Sequence, residues 1–320
     1  MHEKLKKYWF LLGITILFVT VLLDSTLTLS GIGIEIKKIN GPQIAIVLVF
    51  LFSGLLIESD DVLKGFHDVK GTVISFLLIF IIAPLIAYIF SLSNMPTGII
   101  TGLFLVASMP STLSSGVVMT GSAGGNMAHA LMITILSNIT ATFTIPFTLA
   151  ILIGINDNLM EIEINKTAII TKIALLVVLP LIIGLVVKSF VNIKKNIRNK
   201  FQIFNQIFVL IIVFMALSEA RSTIVANFED SFLVFFVVFS FHGFMLLSAF
   251  TLIKVFNIKK GKRESIIFMG GQKTLPLSLV LLVSLFPQFG IALVVCVSHH
   301  IIHLMMDSYL IGFMNKKRIS

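Results

Sequence analysis

Cysteine is almost missing from this chain of 320 residues: Cys296 stands alone, inside an apolar run. A disulfide framework and a cysteine-based metal site are thereby excluded. Charge is scarce too. Charged residues make up 12% of the chain, about half of what a soluble domain carries, which excludes a soluble fold of this length. Acidic residues number 15 against 24 basic ones, a net charge of +9. The basic residues sit in short segments between apolar runs, the pattern of membrane orientation rather than of a nucleic-acid surface. No nucleic-acid partner is expected.

Apolar sequence fills the space. Hydrophobic residues account for 57% of the chain, with 29 phenylalanines that read as lipid-facing or packing groups. Runs of roughly 20 residues, each long enough to cross a bilayer core, fall at 8–29, 42–57, 72–92, 97–119, 127–154, 168–187, 203–218, 232–256, 265–286 and 290–313. Backbone groups in lipid must be satisfied within their own segment, so each run should be helical, and the alternation of a membrane barrel is absent. The sequence thus predicts an all-α polytopic membrane protein with ten transmembrane helices and the lipid bilayer as its surroundings. A basic lead (Lys4, Lys6, Lys7) precedes the first run with no small-residue cleavage pattern after it, so that run reads as a retained helix. With the N-terminus inside, only Lys37, Lys38, Lys166, Lys172 and Arg221 of the 24 basic residues lie in outer segments, and Lys273 lies in the membrane. This bias predicts cytoplasmic N- and C-termini in a multi-pass protein of the cell (plasma or inner) membrane.

Two polar interruptions break the pattern. Met269-Gly270-Gly271-Gln272-Lys273-Thr274-Leu275-Pro276 lies in the ninth run, and Met109-Pro110-Ser111-Thr112-Leu113-Ser114-Ser115-Gly116 in the fourth. Ala107 to Met119 aligns without gaps onto Met269 to Leu281, so that Thr112-Leu113 meets Thr274-Leu275. Ser53 to Glu58 resembles Met215 to Glu219 in ending an apolar helix on a glutamate. Runs one to five (1–158) therefore pair with runs six to ten (159–320), and because five is odd the halves are inverted repeats. Interrupted helices in corresponding positions of such repeats point to a secondary transporter with a midplane site.

Pro110 removes a donor and should free carbonyls near Val106, while Gly270-Gly271 and Pro276 weaken the ninth helix at the same depth. If the broken helices cross, half-helix N-termini converge on one point and favour an anion. Lys273 reinforces that field, serves as counter-ion to a carboxylate, or carries a proton, since a charge at mid-membrane costs at least about 2.5 kcal/mol. Snorkelling to the interface is the plainer alternative. Candidate substrate-binding residues are Pro110, Ser111, Thr112, Ser114, Ser115, Asn138, Gln272, Lys273 and Thr274.

The Gly-x-Gln-Lys-Thr-Leu run from Gly270, the Pro-Ser-Thr-x-Ser-Ser run from Pro110, the Gly125-Asn126 pair and the ten-run arrangement resemble the bile acid:sodium symporter superfamily. The nearer resemblance is to its SBF-like branch, related to solute carrier family 10 member 7. It implies a panel domain of helices 1, 2, 6 and 7 and a core domain of helices 3–5 and 8–10. Discontinuous helices 4 and 9 would cross within the core, with substrate between the domains. The superfamily's sodium positions carry over in part, onto Ser115, Thr134 and Gln272 as a candidate ion site. Its asparagine after Ser115 is Gly116 here, its serine before Thr134 is Ala130, its glutamate falls on Phe268, and its asparagine after Gln272 is Lys273. The resemblance implies sodium coupling, whereas a lost carboxylate and a gained ammonium favour sodium-independent or proton-linked transport. No other cofactor is expected.

The tenth run carries His299, His300, His303 and Asp307. His299, His303 and Asp307, spaced i, i+4, i+8, share a helix face and with Lys273 form a candidate proton or polar relay. Imidazole pairs at that spacing suit zinc, but no clear fourth ligand is offered and no metal is assigned. In the repeat alignment Ser137-Asn138 falls opposite His299-His300, which favours a hydrogen-bonded polar face. His242 reads as a core histidine or a relay, and Glu58, Asp60, Asp61, His67 and Asp68 read as a solvated loop. The leading expectation is a secondary active transporter, not an enzyme, that moves a small organic anion by alternating access and is compatible with a homodimer. The alternatives are a metal-dependent membrane enzyme built on the tenth-run histidines and a regulatory membrane protein acting on ion or calcium handling, the latter suggested by the resemblance.

Overall fold

Long apolar runs have one way to satisfy their backbone in lipid without closing a barrel, and the described residues take it: helices and turns, with no strand. The computed structural model describes residues 2–56, 68–112, 115–156, 159, 165–191, 195–226 and 229–319. In chain order its helices are α1 (His2–Leu22), α2 (Thr28–Lys38), α3 (Gly41–Leu56), α4 (Val69–Ser91), α5 (Thr97–Ser108), α6 (Ser115–Ser122), α7 (Met127–Gly154), α8 (Lys166–Phe190), α9 (Lys195–Ala226), α10 (Asp230–Val255), α11 (Arg263–Gly271), α12 (Leu275–Leu285) and α13 (Gly290–Ile319). Seven spans are long and apolar enough to cross a membrane, with α11 and α12 counted together. The pair α2–α3, bent by 73°, brings the number up to eight; Leu12–Leu22 of α1 and all of α5 are shorter apolar helices. The protein is polytopic.

The expected first run, 8–29, is not one helix. α1 ends at Leu22, and Leu27 takes the left-handed conformation (φ 58°) before α2, a helix in what the sequence presents as a connection. Local hydrogen bonds make the corner. The Asp24 carboxylate accepts from the Ser30 N–H (3.0 Å), the Ser30 hydroxyl (3.1 Å) and the Thr26 hydroxyl (2.9 Å), side-chain bonds that compete with helix continuation. The Ser30 N–H, foremost, holds the Asp24 carboxyl below the usual aspartate range. Asp68 also departs from a merely solvated residue: it is buried, accepts the Gly71 N–H at the start of α4 (3.1 Å) and pairs with Lys262 (3.5 Å). Glu58, Asp60, Asp61, His67, Leu113 and Ser114 lie outside the described residues.

α4 and α8 each contain one π turn, Leu78–Ile82 and Ala174–Val178, followed by Ala83-Pro84 and Leu179-Pro180. In α4 the Ala83 N–H reaches back to the Leu78 carbonyl. The next donor in that register belongs to residue 84, a proline without N–H, so the Ile79 carbonyl is left with no helical partner. α3 and α8 touch backbone to backbone: a Cβ at Gly54 would lie 2.3 Å from the Leu181 carbonyl oxygen, and one at Gly184 2.3 Å from that of Leu51.

The fourth and ninth runs break, α5 from α6 and α11 from α12. The second broken pair is the interior of the molecule. Of its most apolar stretch 89% is buried, against 33–50% in α4, α7, α8, α9 and α10, so the polar break between α11 and α12 lies inside protein rather than against lipid.

Candidate functional site

At the first break α5 stops because Met109 turns extended (φ −73°, ψ 149°) ahead of Pro110. The Met109 N–H still reaches the Val106 carbonyl (3.1 Å). The freed carbonyls are therefore those of Ala107 and Met109, one and three residues beyond Val106. Five carbonyls from Ala107 to Thr112 find partners outside their own helix. Lys273 Nζ donates to Ala107 (3.0 Å) and Met109 (2.9 Å). The Thr274 N–H donates to Pro110 (3.1 Å). From α7, Asn138 Nδ2 donates to Ser111 (3.3 Å) and Thr134 Oγ1 to Thr112 (3.1 Å). Backbone out of helix at membrane depth is stable only with such partners.

Lys273 makes a third bond, 2.8 Å to the Ile79 carbonyl that the π turn leaves free. Its side chain is 2% exposed, so it does not snorkel, and it points at the carbonyl end of α5, where a helix favours a cation. Gln272 faces the other way. Its Oε1 accepts from Thr112 Oγ1 (3.0 Å) and Ser115 Oγ (2.8 Å), and its Nε2 donates to Asp307 Oδ2 (2.7 Å) and approaches Met119 Sδ (3.0 Å). Thr112 Oγ1 also accepts the Gly116 N–H (3.1 Å), capping the start of α6. The two breaks are thus joined by backbone and side chain alike.

Asp307 carries the network into α10, where His242 Nε2 lies 3.0 Å from its Oδ1. Both carboxylate oxygens accept, and both side chains are fully buried. His303 Nε2 lies 3.0 Å from His300 Nδ1, and the His299 and His303 rings are centred 5.2 Å apart. Among the described residues no three His, Cys, Asp or Glu side chains gather as a metal site. Ser111 Oγ, Asn138 Oδ1 and His242 Nδ1 are buried without a hydrogen-bond partner among the described residues.

The structure brings Pro110, Ser111, Thr112, Ser115, Thr134, Asn138, Gln272, Lys273 and Thr274 to one seam and joins Asp307 to it. His299 and His303 lie beside His242, and His300 beside His303. Three features escape sequence reasoning: the Ile79 acceptor, which is backbone; the pairing of His242 with Asp307; and His129, whose Nδ1 lies 2.7 Å from Ser265 Oγ and whose Nε2 lies 3.2 Å from Thr72 Oγ1. A histidine at the third position of α7, next to the Asn126 cap, is the signal that could have found the last.

The family model of the SBF-like CPA transporter family matches residues 8–316. Sodium/bile acid cotransporter 7-B of Xenopus laevis is 25% identical over 180 residues, 55% of this chain and 52% of the relative. The aligned part thus spans about half the length of that curated relative.

Proposed function

The chain belongs to the SBF-like CPA transporter family, and on that premise we propose that it is a secondary active transporter carrying a small organic anion by alternating access. The observation that carries this reading is the buried polar seam between the two helix breaks, where Ser111 Oγ and Asn138 Oδ1 have no partner among the described residues. Buried polar groups are seldom left unpaired, and a solute would complete them. The starts of α6 and α12 favour negative charge there. The seam is closed, with Ser111, Thr112, Gln272, Lys273 and Thr274 all buried, as an occluded conformation requires.

Alternating access needs two bodies, and the bonds between helices support two sets. Asn205 of α9 donates to Ser53 of α3 (2.9 Å), Arg221 of α9 to the Val21 carbonyl of α1 (2.9 Å), and Lys37 of α2 pairs with Glu219 of α9. The seam ties α4, α5, α6, α7, α10, α11, α12 and α13 through Lys273, Gln272, Thr134, Asn138 and Asp307. On this reading the chain is two inverted five-span repeats, 1–158 and 159–320. α1–α3, α8 and α9 form a panel and the remainder a core, with both termini cytoplasmic. Ser115 bonds Gln272 (2.8 Å) and Thr134 bonds the Thr112 carbonyl (3.1 Å). Phe268 where the superfamily has its carboxylate, and the amine of Lys273 next to Gln272, favour proton-linked or uncoupled transport over sodium coupling, with Asp307–His242 as the proton-bearing pair.

The test is thermal unfolding of purified protein against a panel of organic anions, with and without sodium and at two pH values, in wild type and Ser111→Ala. Because Ser111 Oγ makes no hydrogen bond among the described residues, Ser111→Ala should leave the unfolding temperature without ligand unchanged while weakening stabilisation by the anion. The reading fails if no anion stabilises the wild type, or if sodium alone does.

A further inference from the structure

A lysine ammonium offers three N–H donors and no acceptor. Lys273 uses all three, on the carbonyls of Ile79 (2.8 Å), Ala107 (3.0 Å) and Met109 (2.9 Å). A neutral amine, with two N–H groups, could not serve three carbonyls, so the geometry fits the charged form. Each acceptor is free for a reason fixed in the chain. Ile79 loses its donor to the π turn and to Pro84, and Ala107 and Met109 lose theirs because α5 ends ahead of Pro110. Gly270 lets α11 press against the π turn, since a Cβ there would lie 2.6 Å from Leu78 Cδ1. Three main-chain oxygens, held by α4 and the end of α5, therefore converge on one buried point whatever side chain occupies it.

Converging carbonyl oxygens can take the place of hydration waters around a monovalent cation, and three replace part of its shell. We propose that the carbonyls of Ile79, Ala107 and Met109 form a monovalent-cation site which Lys273 fills with a cation carried on the chain itself. Contacts of 2.8–3.0 Å suit an ion of ammonium or potassium size better than the smaller sodium ion. Taking the amine away uncovers the site for a free cation. This does not depend on what solute is moved, and its tests are run without solute, so it and the transport reading fail separately.

The experiment compares wild type, Lys273→Ala and Lys273→Met in detergent, in potassium, ammonium, ethylammonium, sodium or choline chloride at equal ionic strength. Unfolding of wild type should be the same in all five salts. Lys273→Ala should be stabilised by potassium, ammonium and ethylammonium over choline, by about 2 °C for each tenfold step above the dissociation constant, and less by sodium. Lys273→Met, whose apolar chain fills the space, should show no such gain. Where Lys273→Ala is too unstable to purify in choline, the yield of monodisperse protein in potassium against choline is the readout. Equal yields, equal unfolding temperatures in all salts, or a potassium response shared by wild type or Lys273→Met overturn the proposal.

Discussion

Asp307 is the carboxylate on which the seam turns, and two substitutions there separate its hydrogen bonds from its charge. One oxygen accepts from Gln272 Nε2 at 2.7 Å and the other meets His242 Nε2 at 3.0 Å, with no exposure of either the Asp307 or the His242 side chain. In Asp307→Asn the amide oxygen can keep the Gln272 bond. The amide N–H₂ then faces His242 Nε2, which becomes an acceptor once the imidazole proton moves to Nδ1, a nitrogen with no partner among the described residues. What is lost is charge assistance, about 1 kcal/mol per bond, offset in part by removing a buried charge. Asp307→Leu orphans both donors at about 1–3 kcal/mol each, although Gln272 Nε2 retains Met119 Sδ at 3.0 Å. The leucine variant should therefore be the less stable by about 2–4 kcal/mol, or about 3–6 °C for a chain of this length. Thermal unfolding of both variants in one detergent, with anion uptake measured in parallel, reads this out. On the proton-linked reading uptake should fall in both, because neither an asparagine nor a leucine at this position can exchange a proton with His242. Equal stability of the two variants would refute the hydrogen-bond reasoning.

Gly54→Ala places a Cβ 2.3 Å from a backbone oxygen where ordinary contact begins at 3.4 Å, so α3 and α8 must part by about 1 Å at a cost of about 1–3 kcal/mol. Gly184→Ala relieves itself by the same separation. The double variant should thus be destabilised by clearly less than the sum of the singles in thermal unfolding, and strict additivity would count against a shared contact. At Asp24 the folded carboxyl sits below its ordinary value, so its contribution is present above that value and lost as the pH falls through the folded one. Asp24→Ala should unfold at a lower temperature than wild type at pH 7, and the gap should narrow at about pH 3.

The breaks were legible because their causes are local and carried by residue type: Pro110 removes a donor, Gly270-Gly271 and Pro276 weaken a helix, and polar side chains mark the depth. The fifth run was legible to the residue, 127–154 standing as α7. The corner at Leu27 was not, since the left-handed turn there uses no glycine and rests on Asp24 reaching six residues ahead to Ser30. Nor were the partners of Lys273. Its position was plain, but backbone carbonyls leave no signature in residue type, and the freeing of Ile79 depends on a π turn that periodicity does not distinguish from α-helix. His242 and Asp307 are 65 residues apart in the chain, and only the packing of α10 on α13 pairs them.

The buried pair of unlike charges also sets how the protein meets an electric field. Lys273 makes the contacts of a cation and Asp307 accepts with both oxygens, as an anion does, so the empty seam carries no net charge. A body holding both can change its exposure from one face of the membrane to the other without moving charge through the potential. On the transport proposed above, the charge translocated is then that of the solute together with any proton borne by the Asp307–His242 pair, worth about 2.3 kcal/mol per elementary charge per 100 mV. On that reading a load with net charge makes the loaded step voltage-sensitive and leaves the empty return electrically silent.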